Sequence, residues 1–109
     1  MAATFTNQAS NMTTQMGKAV LGFGMVQGVL SLGDTYATNG VAVTAALFGL
    51  TTITDIIFTS TTVDGTTSME YIPTGGLVKA YSSSTASEVG NGTDLSAAVK
   101  GCSCIVIGQ

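Results

Sequence analysis

A chain of 109 residues and 10.9 kDa has room for one domain, since folding at this mass leaves ~5,600 Å² exposed of ~15,800 Å² in the unfolded chain. Its cations, Lys18, Lys79 and Lys100, stand against six carboxylates, giving a net charge of −3 and a charged fraction of 8%. So few and scattered cations exclude a nucleic-acid partner, and the lack of histidine removes imidazole catalysis and His-ligated metals.

Residues 1–17 hold Phe5 as their sole aromatic and show neither a helical nor a strand period. They read as an extended arm that cannot pack on its own domain without help, either loose or docked on a neighbour. With no basic start and no apolar stretch, the arm is not expected to be a signal or transit peptide. In residues 18–32 the glycines Gly22, Gly24 and Gly28 would cost a helix about 1 kcal/mol each, so this segment is expected to be a strand bent or bulged at glycine. Residues 33–40 are dense in turn formers, and Asn39-Gly40 suits positive φ. Val43, Ala46, Leu47 and Leu50 share one helical face behind Thr44 as a possible cap, which predicts a short helix ended by Gly49 or Leu50.

Ile53, Ile56, Ile57 and Phe58 then lead through a Thr-rich run to Asp64-Gly65, a strong type I′ hairpin signal, with residues 66–72 expected to run back. A second reversal at Pro73-Thr74-Gly75-Gly76 and an alternating segment 77–82 complete a predicted three-stranded meander. Residues 82–87 form a Ser/Thr loop and Gly90-Asn91-Gly92 a turn. A last strand is expected to open at Asp94 or Ser96 and run through Ile107, with Val99, Ile105, Val106 and Ile107 making its C-terminal end buried on both faces. The apolar stretches 18–32 and 41–58 are too short and too polar for a membrane span, the second being broken by Asp55. The expected fold is mainly β, a β-sandwich or small barrel-like antiparallel sheet with one short helix. It comprises an N-terminal arm, 1–17, and a single β-rich domain, 18–109.

Little in the chain points to chemistry. Cys102 and Cys104 at i, i+2 on a strand fall on one face about 6–7 Å apart, where a mutual disulfide would be strained. They read as reduced core side chains and make at most half a zinc shell. Of the carboxylates, Asp64 is explained by its turn, Asp34 and Asp94 by loops or caps, and Glu70 by a strand face beside Lys79. Asp55 alone sits oddly, among isoleucines. The abundant Ser and Thr hydroxyls lack a base to activate them, and Gly22-Phe23-Gly24 and Gly75-Gly76 lack the lysine and helix start of a phosphate loop. No catalysis, cofactor or metal is expected.

Solubility is the property left unexplained. A small chain with 45% hydrophobic residues and 8% charge is sticky when alone, and burial against copies or partners would resolve this. The segment Gly33-Asp34-Thr35-Tyr36-Ala37-Thr38-Asn39-Gly40-Val41-Ala42-Val43-Thr44, the following Leu47-Phe48-Gly49-Leu50, and the late Glu88-Val89 with Asn91-Gly92-Thr93-Asp94-Leu95-Ser96 resemble small structural proteins of tailed bacteriophages, of the capsid decoration or cement kind. The resemblance covers residues 18–109 in order of elements. It implies a β-rich virion protein on the outside of the head, made in the host bacterial cytoplasm, with the major capsid protein as partner. A homo-oligomer, a trimer in the first instance, is implied as well, and no nucleic acid, membrane or cofactor. The sequence departs from that pattern in its glycine-rich, apolar first strand and its Cys-Ser-Cys end. Phe5 and Asn11 in the arm, with Asp34, Tyr36 and Asn39 in the 33–40 loop, are the candidate interface residues. Other readings are a tail or fibre component, a host-surface binding module using loops 33–40 and 82–94, and a small hydrolase with a carboxylate pair near Asp55.

Overall fold

The computed structural model describes residues 3–7 and 24–109, and the description that follows concerns these. The expectations for residues 8–23, including the first part of the glycine-bent strand and the candidate contact Asn11, lie outside them. Seven strands form two antiparallel sheets: β1 (Thr4–Asn7), β2 (Gly24–Ser31), β7 (Cys102–Gly108) and β4 (Ile53–Thr62) in that spatial order, and β3 (Val41–Ala42), β6 (Leu77–Ser82) and β5 (Thr67–Ile72) in the other.

Alternation sets the inner faces. In β7 every second residue, from Cys102 through Cys104 and Val106 to Gly108, is buried, and β2 answers with Gly24, Val26, Gly28 and Leu30. Val78 and Ala80 of β6 and Met69 of β5 supply the second sheet's share. Leu32, Tyr36, Phe48, Leu50 and Leu95 from the connections join the same core cluster.

The arm corrects the first expectation, because Thr4–Asn7 needs no neighbouring molecule to dock. It pairs antiparallel with β2, Phe5 opposite Leu30, and the Phe5 ring meets Phe48 edge-on with centroids 4.8 Å apart. Gly28 permits this approach: a Cβ there would collide with the Thr6 carbonyl and the Phe5 ring.

The helix expected over 41–50 is a single 3-10 turn, Ala45–Phe48, preceded by the two-residue β3. Gly49 ends it in the left-handed conformation as its type suggests, whereas Thr44 makes no side-chain cap. Of the four apolar positions on that face only Ala46 and Leu47 fall within the turn, and the pairing of Val41 with Val78 takes the first residues into the sheet.

The Asp64-Gly65 signal does mark a reversal, but not a hairpin. Asp64 is not in positive φ; Gly65 alone is (φ 74°), and β4 and β5 enter different sheets. Asp64 organises a corner instead, its Oδ1 accepting from the Thr66 N–H and from the hydroxyls of Thr62 and Thr66, while Lys100 Nζ sits 2.7 Å from Oδ2. The meander is therefore reduced to the β5–β6 hairpin across residues 73–76, with Glu70 opposite Lys79 as expected. The last strand begins later than Asp94 or Ser96. Asp94 Oδ1 accepts from the Ser96 N–H and hydroxyl, a 3-10 turn spans Ala98–Lys100, and β7 opens at Cys102.

Candidate contact surfaces

Two surfaces carry the features that a binding role requires. The first is where the loop 33–40 meets the segment 88–95, which contains the turn expected at 90–92. Gly33 bridges Leu95, the Tyr36 N–H donates to the Thr93 carbonyl at 3.0 Å, and the Gly92 N–H donates to the Tyr36 carbonyl at 2.6 Å. Thr38 N–H donates to Asn91 Oδ1, and Asn39 N–H donates to Glu88 Oε2. Of the loops proposed for a binding module, 33–40 is thus joined to the 88–93 part of 82–94, with Asn39 held at φ 76°.

Tyr36 is the pin of this clasp and corrects its own assignment as an interface residue, because it is fully buried. Its hydroxyl donates to Glu88 Oε2 at 2.7 Å and accepts from the Ala80 N–H at 3.1 Å. β3 is too short to satisfy that part of β6, so Tyr36 and Val89, whose N–H donates to the Ala80 carbonyl, stand in for a strand. Burial, reinforced by the Glu88 carboxylate against the Ala80 N–H, pushes the phenol up to about 12. The Tyr36 hydroxyl first, and the Asn39 N–H as well, hold Glu88 below its ordinary value. Of the other candidates, Asp34 is half-buried and Asn39 exposed on this loop, while Phe5 is half-buried against Phe48.

The second surface was not singled out from the sequence. On the outer face of the four-stranded sheet the register sets Met25, Ile107 and Asp55 in one row and Gln27, Ile105 and Ile57 in the next. Val29 and Ser103 continue it, with Thr6 of β1 beyond. Met25 is 38% and Ile57 46% exposed, and Ile105 and Ile107 are half-buried. An antiparallel sheet facing water normally alternates apolar with polar residues. The other sheet does so: its outer face carries Glu70 beside Lys79, the Lys79 ammonium over the Tyr81 ring, and the Tyr81 hydroxyl on Glu70. The sequence signal for the apolar face was the run Ile105-Val106-Ile107, read as buried on both sides. Val106 is buried and the flanking isoleucines face outward, while Val99, grouped with them, is exposed in the turn before β7.

Asp55, the residue on which a hydrolase reading depends, lies in that outer row. Its Oδ1 accepts the Ile56 N–H, and its cross-strand neighbour is Ile107. Cys102 and Cys104 share the inner face and are free thiols, which burial pushes up to about 11 and about 12. The Cys102 thiol donates to the Ser60 carbonyl in the irregular stretch between Phe58 and Thr62. Among the described residues no cluster of three His, Cys, Asp or Glu could hold a metal, and no helix is long and apolar enough to cross a membrane.

Comparison with protein-family models, with curated proteins and with solved structures finds no match to this chain.

Proposed function

We propose that this chain is a virion structural protein, a decoration or cement subunit that binds the outside of a bacteriophage head and stabilises it by contacting several major-capsid subunits at once. The observation that carries the reading is the outer face of the four-stranded sheet, where Met25 and Ile57 remain exposed beside Ile105 and Ile107 with Asp55 as the one charge among the described residues. A subunit of an assembly hides such surface against a neighbouring subunit, in a contact depleted in charge. Sequence-level support comes from the resemblance of residues 33–44, 47–50 and 88–96 to decoration proteins.

The mechanism is mechanical. A subunit that binds only the closed shell shifts the equilibrium against opening, and several weak contacts made together give an avidity that none has alone. The loop surface around Asn39 and Asn91, stiffened by the Tyr36 clasp, is suited to meet the shell without an ordering cost at the moment of binding.

The test adds purified protein to heads that lack it and follows the temperature at which they release DNA. A saturable gain of protein with a raised release temperature is expected. Heads that take up none, or take it up without a shift, contradict the reading, and binding confined to tails replaces it with the tail or fibre role.

A further inference from the structure

The outer face of the four-stranded sheet has a pattern that selects its occupant. Around the central pair Ile105 and Ile107 on β7, the neighbouring strands place four side chains at the corners of a rectangle, Met25 and Gln27 on β2, Asp55 and Ile57 on β4. Strand spacing and rise make it roughly 9.6 by 6.8 Å. One diagonal, Met25 to Ile57, is apolar; the other, Gln27 to Asp55, is polar.

We propose that a second copy of this chain covers this face, related by a two-fold axis lying along the Met25–Ile57 diagonal. That axis sets Met25 against its symmetry mate and Ile57 against its own, keeps Ile105 and Ile107 at the centre, and brings each Gln27 to roughly 4 Å, in projection, from the other copy's Asp55, within reach of its amide. The other simple two-fold axes fail. An axis along the strands buries Asp55 on Met25, one across the strands buries it on Ile57, and one along the polar diagonal brings two carboxylates together. A buried charge left unpaired, or opposed by its like, is the costly outcome in each. Asp55 Oδ1 is engaged by the Ile56 N–H, so Oδ2 is the atom that accepts from the Gln27 amide.

The strands of the two copies then cross at roughly 70°, close to the orthogonal class of sheet packing. A self-complementary face closes as a pair, whereas the three-fold ring implied by the phage resemblance needs two different patches. The edge of β4 offers no competing route. Irregularities between Ile53 and Asp55 and between Phe58 and Thr62 leave a regular stretch of only residues 55–58, and Asp55 already holds the Ile56 N–H. The face measures roughly 19 by 24 Å over four strands, below the ~800 Å² per partner of a standard interface, so association is expected in the micromolar range.

The experiment is sedimentation velocity on the full chain from about 2 to about 200 µM, a range that brackets such an affinity. The wild type is expected to pass from monomer to dimer within it. Ile57→Lys, at a position already exposed, is expected to remain monomeric. Gln27→Glu sets a carboxylate against Asp55 of the other copy and is expected to weaken the dimer at least about tenfold. Asp55→Asn, which keeps the oxygen that accepts the Ile56 N–H, restores it in the double variant. A wild type that is monomeric or trimeric throughout, a dimer indifferent to Ile57→Lys, or a Gln27→Glu defect that Asp55→Asn does not repair each overturns the proposal. The inference stands on the face alone: a dimer that ignores phage heads leaves it intact and removes the virion reading, and a monomer that binds heads does the reverse.

Discussion

Tyr36 is the residue on which the loop surface turns. Its ring fills the core and its hydroxyl serves two groups, the buried Ala80 N–H and the Glu88 carboxylate. Tyr36→Phe keeps the ring and leaves the Ala80 donor without its acceptor, which costs about 1–3 kcal/mol. Denaturant unfolding is expected to show a lowered midpoint with an unchanged slope, and amide exchange at Asn39 and Ala80 to rise more than in β7. An unchanged midpoint would mean that the hydroxyl is dispensable. From the sequence, Tyr36 among turn formers looked like an exposed contact residue. Nothing local distinguishes it from a buried one, because the groups that claim its hydroxyl lie 44 and 52 residues away. The cysteines were legible, since strand alternation fixes their common face regardless of what packs on it.

At the scale of elements, turn chemistry located most chain reversals and did not fix which strands pair across them. Gly75 and Gly76 take positive φ between two strands that do pair, whereas Asp64-Gly65 ends in a corner between sheets. The difference arises because Asp64 spends its carboxylate on Thr62, Thr66 and Lys100, a partner found only in the fold. The arm departs from its expected looseness for a related reason. Thr4–Asn7 carries little apolar surface, but its backbone completes a sheet edge and Phe5 finds Phe48 in the 3-10 turn. Gly28 is the condition for that docking. Gly28→Ala is expected to expel β1 and lower stability by about 1–3 kcal/mol, read as a lowered thermal midpoint together with proteolysis near residue 7. A variant that keeps the arm protected would show that β2 yields enough to admit a Cβ.

For the whole molecule, sparse charge makes the few ionised groups matter. Glu88, Asp64 and Asp94 are all held below their ordinary values, Asp64 most strongly by Lys100 and the Thr66 and Thr62 hydroxyls. A depressed folded pKa means that the unfolded chain takes up protons first. The stabilisation is therefore complete above the unfolded carboxylate value of about 4 and is lost as pH falls through the folded values. With no histidine to titrate, the urea midpoint is expected to be level from about pH 8 to about pH 5 and to fall below about pH 4. A midpoint that rises on acidification would reverse the sign of this argument. The same scarcity leaves one sheet face clothed in isoleucine and methionine while the other is ordinarily polar. Composition pointed to exposed apolar surface; the register of β2, β7 and β4 was needed to say where it lies.

The most direct test of the proposed virion role is an electron-microscopy map of any virus particles recovered from the source of this chain. Density for the two-sheet fold is expected on the outer surface of the head, at joints between capsomers, with the Met25–Ile57 face covered. A particle whose head and tail surfaces carry no such density contradicts it.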